Sequence, residues 1–193
     1  YSPDDPKLGA SLHNLGECDR AVGRLEEAEP LYREDWEITR AALGPVHPDN
    51  AASLNNLANL LRDTGRFGEA EPLYREALDV IRTTLGKEHP HYATSLDNLA
   101  GWLEDSGRVD EAEPIFREAL EIRRWTLGEV HPDYAASLNN LAFLLKQLGR
   151  LEEAEPLYRE AVQIWEVVLG DEHPNTKTGR ANLASLLTQM GRN

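Results

Sequence analysis

The chain has 193 residues and a formal net charge of −14, with 34 acidic against 20 basic side chains. Such a field repels nucleic acid and anionic membrane surfaces, and it suits neutral or basic protein partners. A single cysteine, Cys18, excludes an internal disulfide and fits a reducing, cytoplasmic setting, while no apolar run approaches the ~20 residues of a membrane span.

Punctuation recurs at a spacing of 42 residues. Leu43-Gly44-Pro45-Val46-His47-Pro48 returns as Leu85 to Pro90, Leu127 to Pro132 and Leu169 to Pro174. Between these marks, Ala-Glu-Pro-Leu-Tyr-Arg-Glu or a near copy starts at Ala28, Ala70, Ala112 and Ala154. A fixed period of this size predicts stacked repeats, each burying its apolar face only against its neighbours. Alignment on Pro6, Pro48, Pro90, Pro132 and Pro174 divides the chain into repeats 6–47, 48–89, 90–131 and 132–173, with a half repeat 174–193. It opens at Tyr1 without a methionine and stops at Asn193, where a further helix is due, so it reads as a piece of a longer protein.

Each repeat predicts two helices. Leu54, Leu57, Ala58 and Leu61 form one helical stripe, and Gly65 ends it. The second helix buries Ala70, Leu73, Tyr74, Ala77, Leu78 and Ile81, and ends near Leu85-Gly86. Pro48 suits a first helical turn, with His47 as its N-cap; Asp5 holds the same place in the first repeat. Pro72 and its equivalents lie about a turn into the second helix, which predicts a late start or a bend there. Glu29–Arg33, Glu71–Arg75, Glu113–Arg117 and Glu155–Arg159 are i,i+4 pairs worth ~0.2–0.5 kcal/mol each.

The Leu57-Ala58, Gly65, Ala70, Tyr74 and Ala77 pattern resembles the tetratricopeptide repeat. The 42-residue period, the Asn-Asn-Leu-Ala core and the Leu-Gly-x-x-His-Pro connector resemble its kinesin-light-chain-like variety. The resemblance implies a right-handed α-solenoid of stacked antiparallel helix pairs: four full repeats and a final single helix. It also implies a concave groove, lined by the first helices, that holds extended peptides.

On the helical wheel, Ser53 and Leu60 face the preceding repeat, as do Ser95 and Trp102, and Ser137 and Leu144. Opposite the core stripe stands a repeated asparagine: Asn14, Asn56, Asn98, Asn140 and Asn182. A carboxamide donates and accepts at once, so it matches a peptide group whatever the side chain. The competing reading is that these amides bond to neighbouring helices and fix the superhelix.

Specificity is expected where repeats differ. His13, Asn55, Asp97, Asn139 and Ala181 adjoin the stripe; Glu17, Asn59, Gly101, Phe143 and Ser185 follow one turn on, then Arg20, Arg62, Glu104, Lys146 and Thr188. Asp97, Glu104 and Asp105 predict an acidic middle without a nearby cation, flanked by Arg62 and Lys146. The expected ligand is an extended peptide with a basic or polar centre, an apolar side chain near Phe143 and a carboxylate near Arg62 or Lys146. Ala52, Thr94 and Ala136 occupy sites where clamps for acidic tails need cations, which disfavours that subclass.

Four connector histidines, His47, His89, His131 and His173, are too far apart for a shared metal, so capping is the default. Asp19 and Asp35 replace the leucine and alanine of other repeats, which predicts a looser, partly exposed first repeat, an acid pair being the alternative. Trp102 and Trp36 are expected in the packing, and Trp125 and Trp165 partly exposed. No phosphate loop, dinucleotide loop, C-x-x-C or H-E-x-x-H is present. The leading reading is a non-catalytic protein–protein interaction scaffold that binds an extended peptide or a partner helix in its concave groove, without cofactor or metal. Its alternatives are the sensor or oligomerisation arm of a multidomain switch ATPase, and end-to-end self-assembly in which Arg180 tolerates solvent while Leu183, Leu186 and Leu187 seek cover.

Overall fold

A computed structural model describes residues 6–192; the expected cap at Asp5 lies outside them. All regular structure among the described residues is helical: α1 (Pro6–Ala21), α2 (Leu25–Leu43), α3 (Pro48–Asp63), α4 (Phe67–Thr84), α5 (Pro90–Asp105), α6 (Val109–Leu127), α7 (Pro132–Gln147), α8 (Leu151–Leu169) and α9 (Pro174–Gln189). The chain forms two compact units, residues 1–102 and 103–193. In the first, α1 packs on α2 and α3 on α4, and α2 also meets α3. In the second, α7 packs on α8, with α6 against α7 and α8 against α9. The short turn within each pair makes its helices antiparallel.

The apolar stripes do the packing. Leu54, Leu57, Ala58 and Leu61 are buried in α3, as are Ala70, Tyr74, Ala77 and Ile81 in α4; Leu73 and Leu78 are half-buried. Helix ends follow their punctuation. His47 Nδ1 accepts the Asp49 N–H at 3.2 Å, and His89, His131 and His173 accept from His91, Asp133 and Asn175. Gly65, at φ 74°, takes the left-handed turn after α3 that a side chain would strain.

The internal prolines remove one of two expected outcomes, the late start. Pro30, Pro72, Pro114 and Pro156 are each the sixth residue of a continuous helix, so the second helices do not start late. All four are exposed, where water can serve the carbonyl left without a donor.

The four Glu–Arg pairs form at 2.7–2.8 Å. An arginine 37 residues further along the chain joins each of three of them: Arg66 to Glu29 and Arg150 to Glu113 at 2.7 Å, and Arg192 to Glu155 at 2.6 Å. Burial alone would raise the carboxyl pKa of Glu29 and Glu113, but the hydrogen bonds from two arginines outweigh it and hold both below the usual range. Repeats are thus tied ionically as well as by apolar packing.

The first helix is partly exposed, as Leu15 at 51% shows, but Asp19 and Asp35 are themselves buried with partners, which corrects the expectation for the two carboxylates. Asp19 is buried and bridges Arg24 at 2.6 Å. Asp35 is 5% exposed and accepts the Ser53 hydroxyl at 2.8 Å. Trp165 also departs from expectation: it is 3% exposed, and its indole N–H donates to the Pro132 carbonyl at 3.0 Å. Trp102 packs as expected, donating to the Phe67 carbonyl at 3.1 Å, whereas Trp125 is 87% exposed. On α9, Arg180 is exposed and pairs with Glu166 and Asp171; Leu186 is buried, while Leu183 and Leu187 are half-buried.

Candidate functional site

Ser53, Ser95 and Ser137 face the preceding repeat as predicted, and each meets a different polar group. Ser53 meets Asp35, Ser95 accepts the Asn55 amide at 3.5 Å, and Ser137 accepts the Arg123 guanidinium. Gly179 occupies the fourth place and lies under Trp165. Thr39, Ile81, Arg123 and Trp165 stand at equivalent places on the second helices, so each repeat junction is individually furnished.

In the first unit this furnishing leaves two cavities at equivalent junctions. One, of about 210 Å³, lies between α3 and α5 over Ile81, and Asn55, Asn56, Thr94, Ser95 and Asn98 line it. The other, of about 250 Å³, lies between α1 and α3 over Asp35 and Thr39, with His13, Ser53 and Asn56 on its walls. Asn56 borders both, and Asn98 lines the α3–α5 cavity.

The amides divide between holding the stack and facing open space. The Asn56 carboxamide lies 3.2 Å from His13 Nδ1, and Asn182 donates to Asn139 Oδ1 at 3.0 Å. Both bonds cross a repeat junction, as the structural reading of the stripe expects. Asn55 is 8% exposed, and its Oδ1 has no hydrogen-bond partner although it lines the α3–α5 cavity. Asn14 is exposed, and Asn98 and Asn140 are half-buried.

Other groove residues are partly engaged. Asn59 accepts the Tyr74 hydroxyl at 2.7 Å, and Glu17 accepts that of Tyr32. Burial pushes the Tyr74 phenol up to about 12. Arg20 is held by Asp63 at 2.7 Å. Arg62 Nη1 lies 3.1 Å from where a Gly101 β-carbon would stand, so a cation does reach α5, contrary to the expected cation-free acidic middle. Asp97 on the same helix is half-buried.

In the second unit Glu104 accepts from Gln147 at 2.6 Å, and Lys146 donates to Ser185 at 2.7 Å. Asp105 is exposed, and Phe143 is 41% exposed. Tyr158, whose counterparts Tyr32 and Tyr74 have polar partners, has an unbonded buried hydroxyl; Phe143 stands where Glu17 and Asn59 supply those acceptors.

Among the described residues no cluster of histidine, cysteine, aspartate or glutamate is placed to hold a metal ion. Nor is any helix long and apolar enough to cross a membrane. Thr39 and Ser95 are cavity-lining residues that sequence reasoning left out of the groove. Their one signal was that they sit beside the varying columns.

Comparison with curated proteins finds no match. Among solved structures, two of a putative kinesin light chain with nearly identical TPR-like repeats, from Podosopora anserina, align well. One, a single-substitution form, has a TM-score of 0.78 at 29% identity, covering 96% of this chain and 88% of that one. The other has 0.77 at 29%, covering 97% and 89%. BtubC (BKLC) from P. vanneervenii aligns with a TM-score of 0.78 at 25% identity, covering 95% of this chain and 74% of that one. The profile of the tetratricopeptide repeat matches residues 7–82, 49–124 and 135–175, and with these kinesin-light-chain-like neighbours it establishes that the chain belongs to the tetratricopeptide repeat family.

Proposed function

We propose that the chain is a non-catalytic interaction scaffold whose first helices hold an extended peptide in the trough that the asparagine stripe borders. Tetratricopeptide repeats in general mediate protein–protein interaction, which supports the class. The observation that carries the finer reading is the α3–α5 cavity, which Asn55, Asn56, Thr94, Ser95 and Asn98 line. Asn56, Thr94, Ser95 and Asn98 around it are neutral donors and acceptors, suited to main chain rather than to one side chain. Folding sets these walls before the ligand arrives, so little ordering entropy is lost on binding.

The test is selection of a random dodecapeptide display library on the immobilised chain. Enriched peptides should bind the Asn56→Ala, Asn98→Ala, Asn140→Ala triple variant at least tenfold more weakly, with helix content unchanged by circular dichroism. Equal affinity for both proteins rejects the reading.

A further inference from the structure

Asp35 sits in α2 where the later repeats carry Ala77, Ala119 and Ala161. Opposite it, α1 carries Gly9 where they carry Ala51, Ala93 and Ala135. The two departures compensate. A β-carbon on Gly9 would stand 3.1 Å from Asp35 Oδ1, so the glycine makes room for the carboxylate. Repeat geometry therefore does not demand an aspartate here, since the alanine–alanine pairing builds the same junction elsewhere.

The carboxylate is buried, and His13 is the base whose charge acts on it. It accepts from the Ser53 hydroxyl at 2.8 Å and from the Thr39 hydroxyl at 3.5 Å, and no lysine or arginine among the described residues pairs with it. It lines the α1–α3 cavity, whose lining likewise contains neither lysine nor arginine. Asp49 contributes a second carboxylate at the edge, and His13 is the nearest base. Leu43, Ala10 and Ala52 supply apolar wall. A carboxylate at the end of a cavity with aliphatic walls matches a long cationic side chain, whose stem packs on carbon while its head finds the charge. Burial raises the Asp35 pKa against the pull of the Ser53 hydrogen bond, the His13 charge and the Thr39 hydroxyl.

We propose that the α1–α3 cavity anchors a lysine or arginine side chain of the bound peptide, with Asp35 as its counter-charge. The proposal rests on the trough reading above and adds its charge requirement. The ligand's basic position is thereby placed at the first repeat junction rather than beside Asp97.

The test uses the full chain, ¹⁵N-labelled, titrated with Nα-acetylarginine amide, Nα-acetyllysine amide and Nα-acetylnorleucine amide. The basic probes should shift Ser53, Asn56 and His13 resonances, and norleucine amide should not. Asp35→Asn should weaken the basic probes at least tenfold. Gly9→Ala with Asp35→Ala restores the pairing of the other repeats; the double variant should raise the melting temperature while abolishing the shifts, as expected when a residue is kept for binding at the expense of stability. Equal responses to norleucine amide, or unchanged affinity in Asp35→Asn, overturns the anchor. The dodecapeptide selection separates the two readings. Enriched peptides that lack basic residues and bind Asp35→Asn unchanged would defeat the anchor and leave the trough standing.

Discussion

A β-carbon on Gly179 would lie 2.8 Å from Cζ3 of Trp165, closer than two carbon atoms can pack. The indole fills the place above α9, and the glycine is the reason it fits. Restoring the serine of the other repeats should overpack this junction. Gly179→Ser is expected to lower stability by ~1–3 kcal/mol in urea unfolding. Combining it with Trp165→Ile, the residue at the equivalent Ile81, should recover part of the loss.

Tyr74 and Tyr158 occupy equivalent places but differ in partners. The Tyr74 hydroxyl bonds Asn59 at 2.7 Å, and that of Tyr158 is buried without one. Tyr74→Phe should lower stability by ~1 kcal/mol, whereas Tyr158→Phe should be neutral or stabilising. Phe116 already shows that the column accepts a phenyl ring. Equal effects in urea unfolding would refute this assignment.

The Arg66–Glu29 and Arg150–Glu113 ties predict an acid-sensitive stack. The carboxyls are held below their ordinary pKa, so their contribution is full above the unfolded value, ~4.3, and fades as pH falls through the lower folded value. Glu29→Gln should flatten the acid limb of a melting-temperature profile and leave the region above pH ~6 nearly unchanged in shape. Salt should mimic part of the effect, since exposed ion pairs are screened.

Much of the fold was legible because its signals are local and repeated. The Leu54–Leu61 stripe, the His47 cap and the Glu29–Arg33 pair each lie within one helix or its edge, where spacing alone is informative. What escaped lies between repeats. Arg66 is 37 residues from Glu29, beyond any helical-spacing rule. Asp35 looked like a defect because neither its Ser53 partner nor the compensating Gly9 is near it in sequence. Trp165 looked exposed because the space that accepts it is left by a glycine on another helix. Of the site, the repeated asparagines were readable; that Asn56 reaches His13 and Asn55 reaches Ser95 across a junction depends on inter-repeat geometry.

The central claim is that a peptide occupies the trough beside Asn56. The direct measurement is a ¹H–¹⁵N map of the labelled chain with a library-selected peptide, read at the side-chain amide resonances. The account predicts that the Asn55, Asn56 and Asn98 carboxamides shift and saturate together. Shifts confined to exposed Trp125 and its α6 neighbours, with those three amides unmoved, would contradict it.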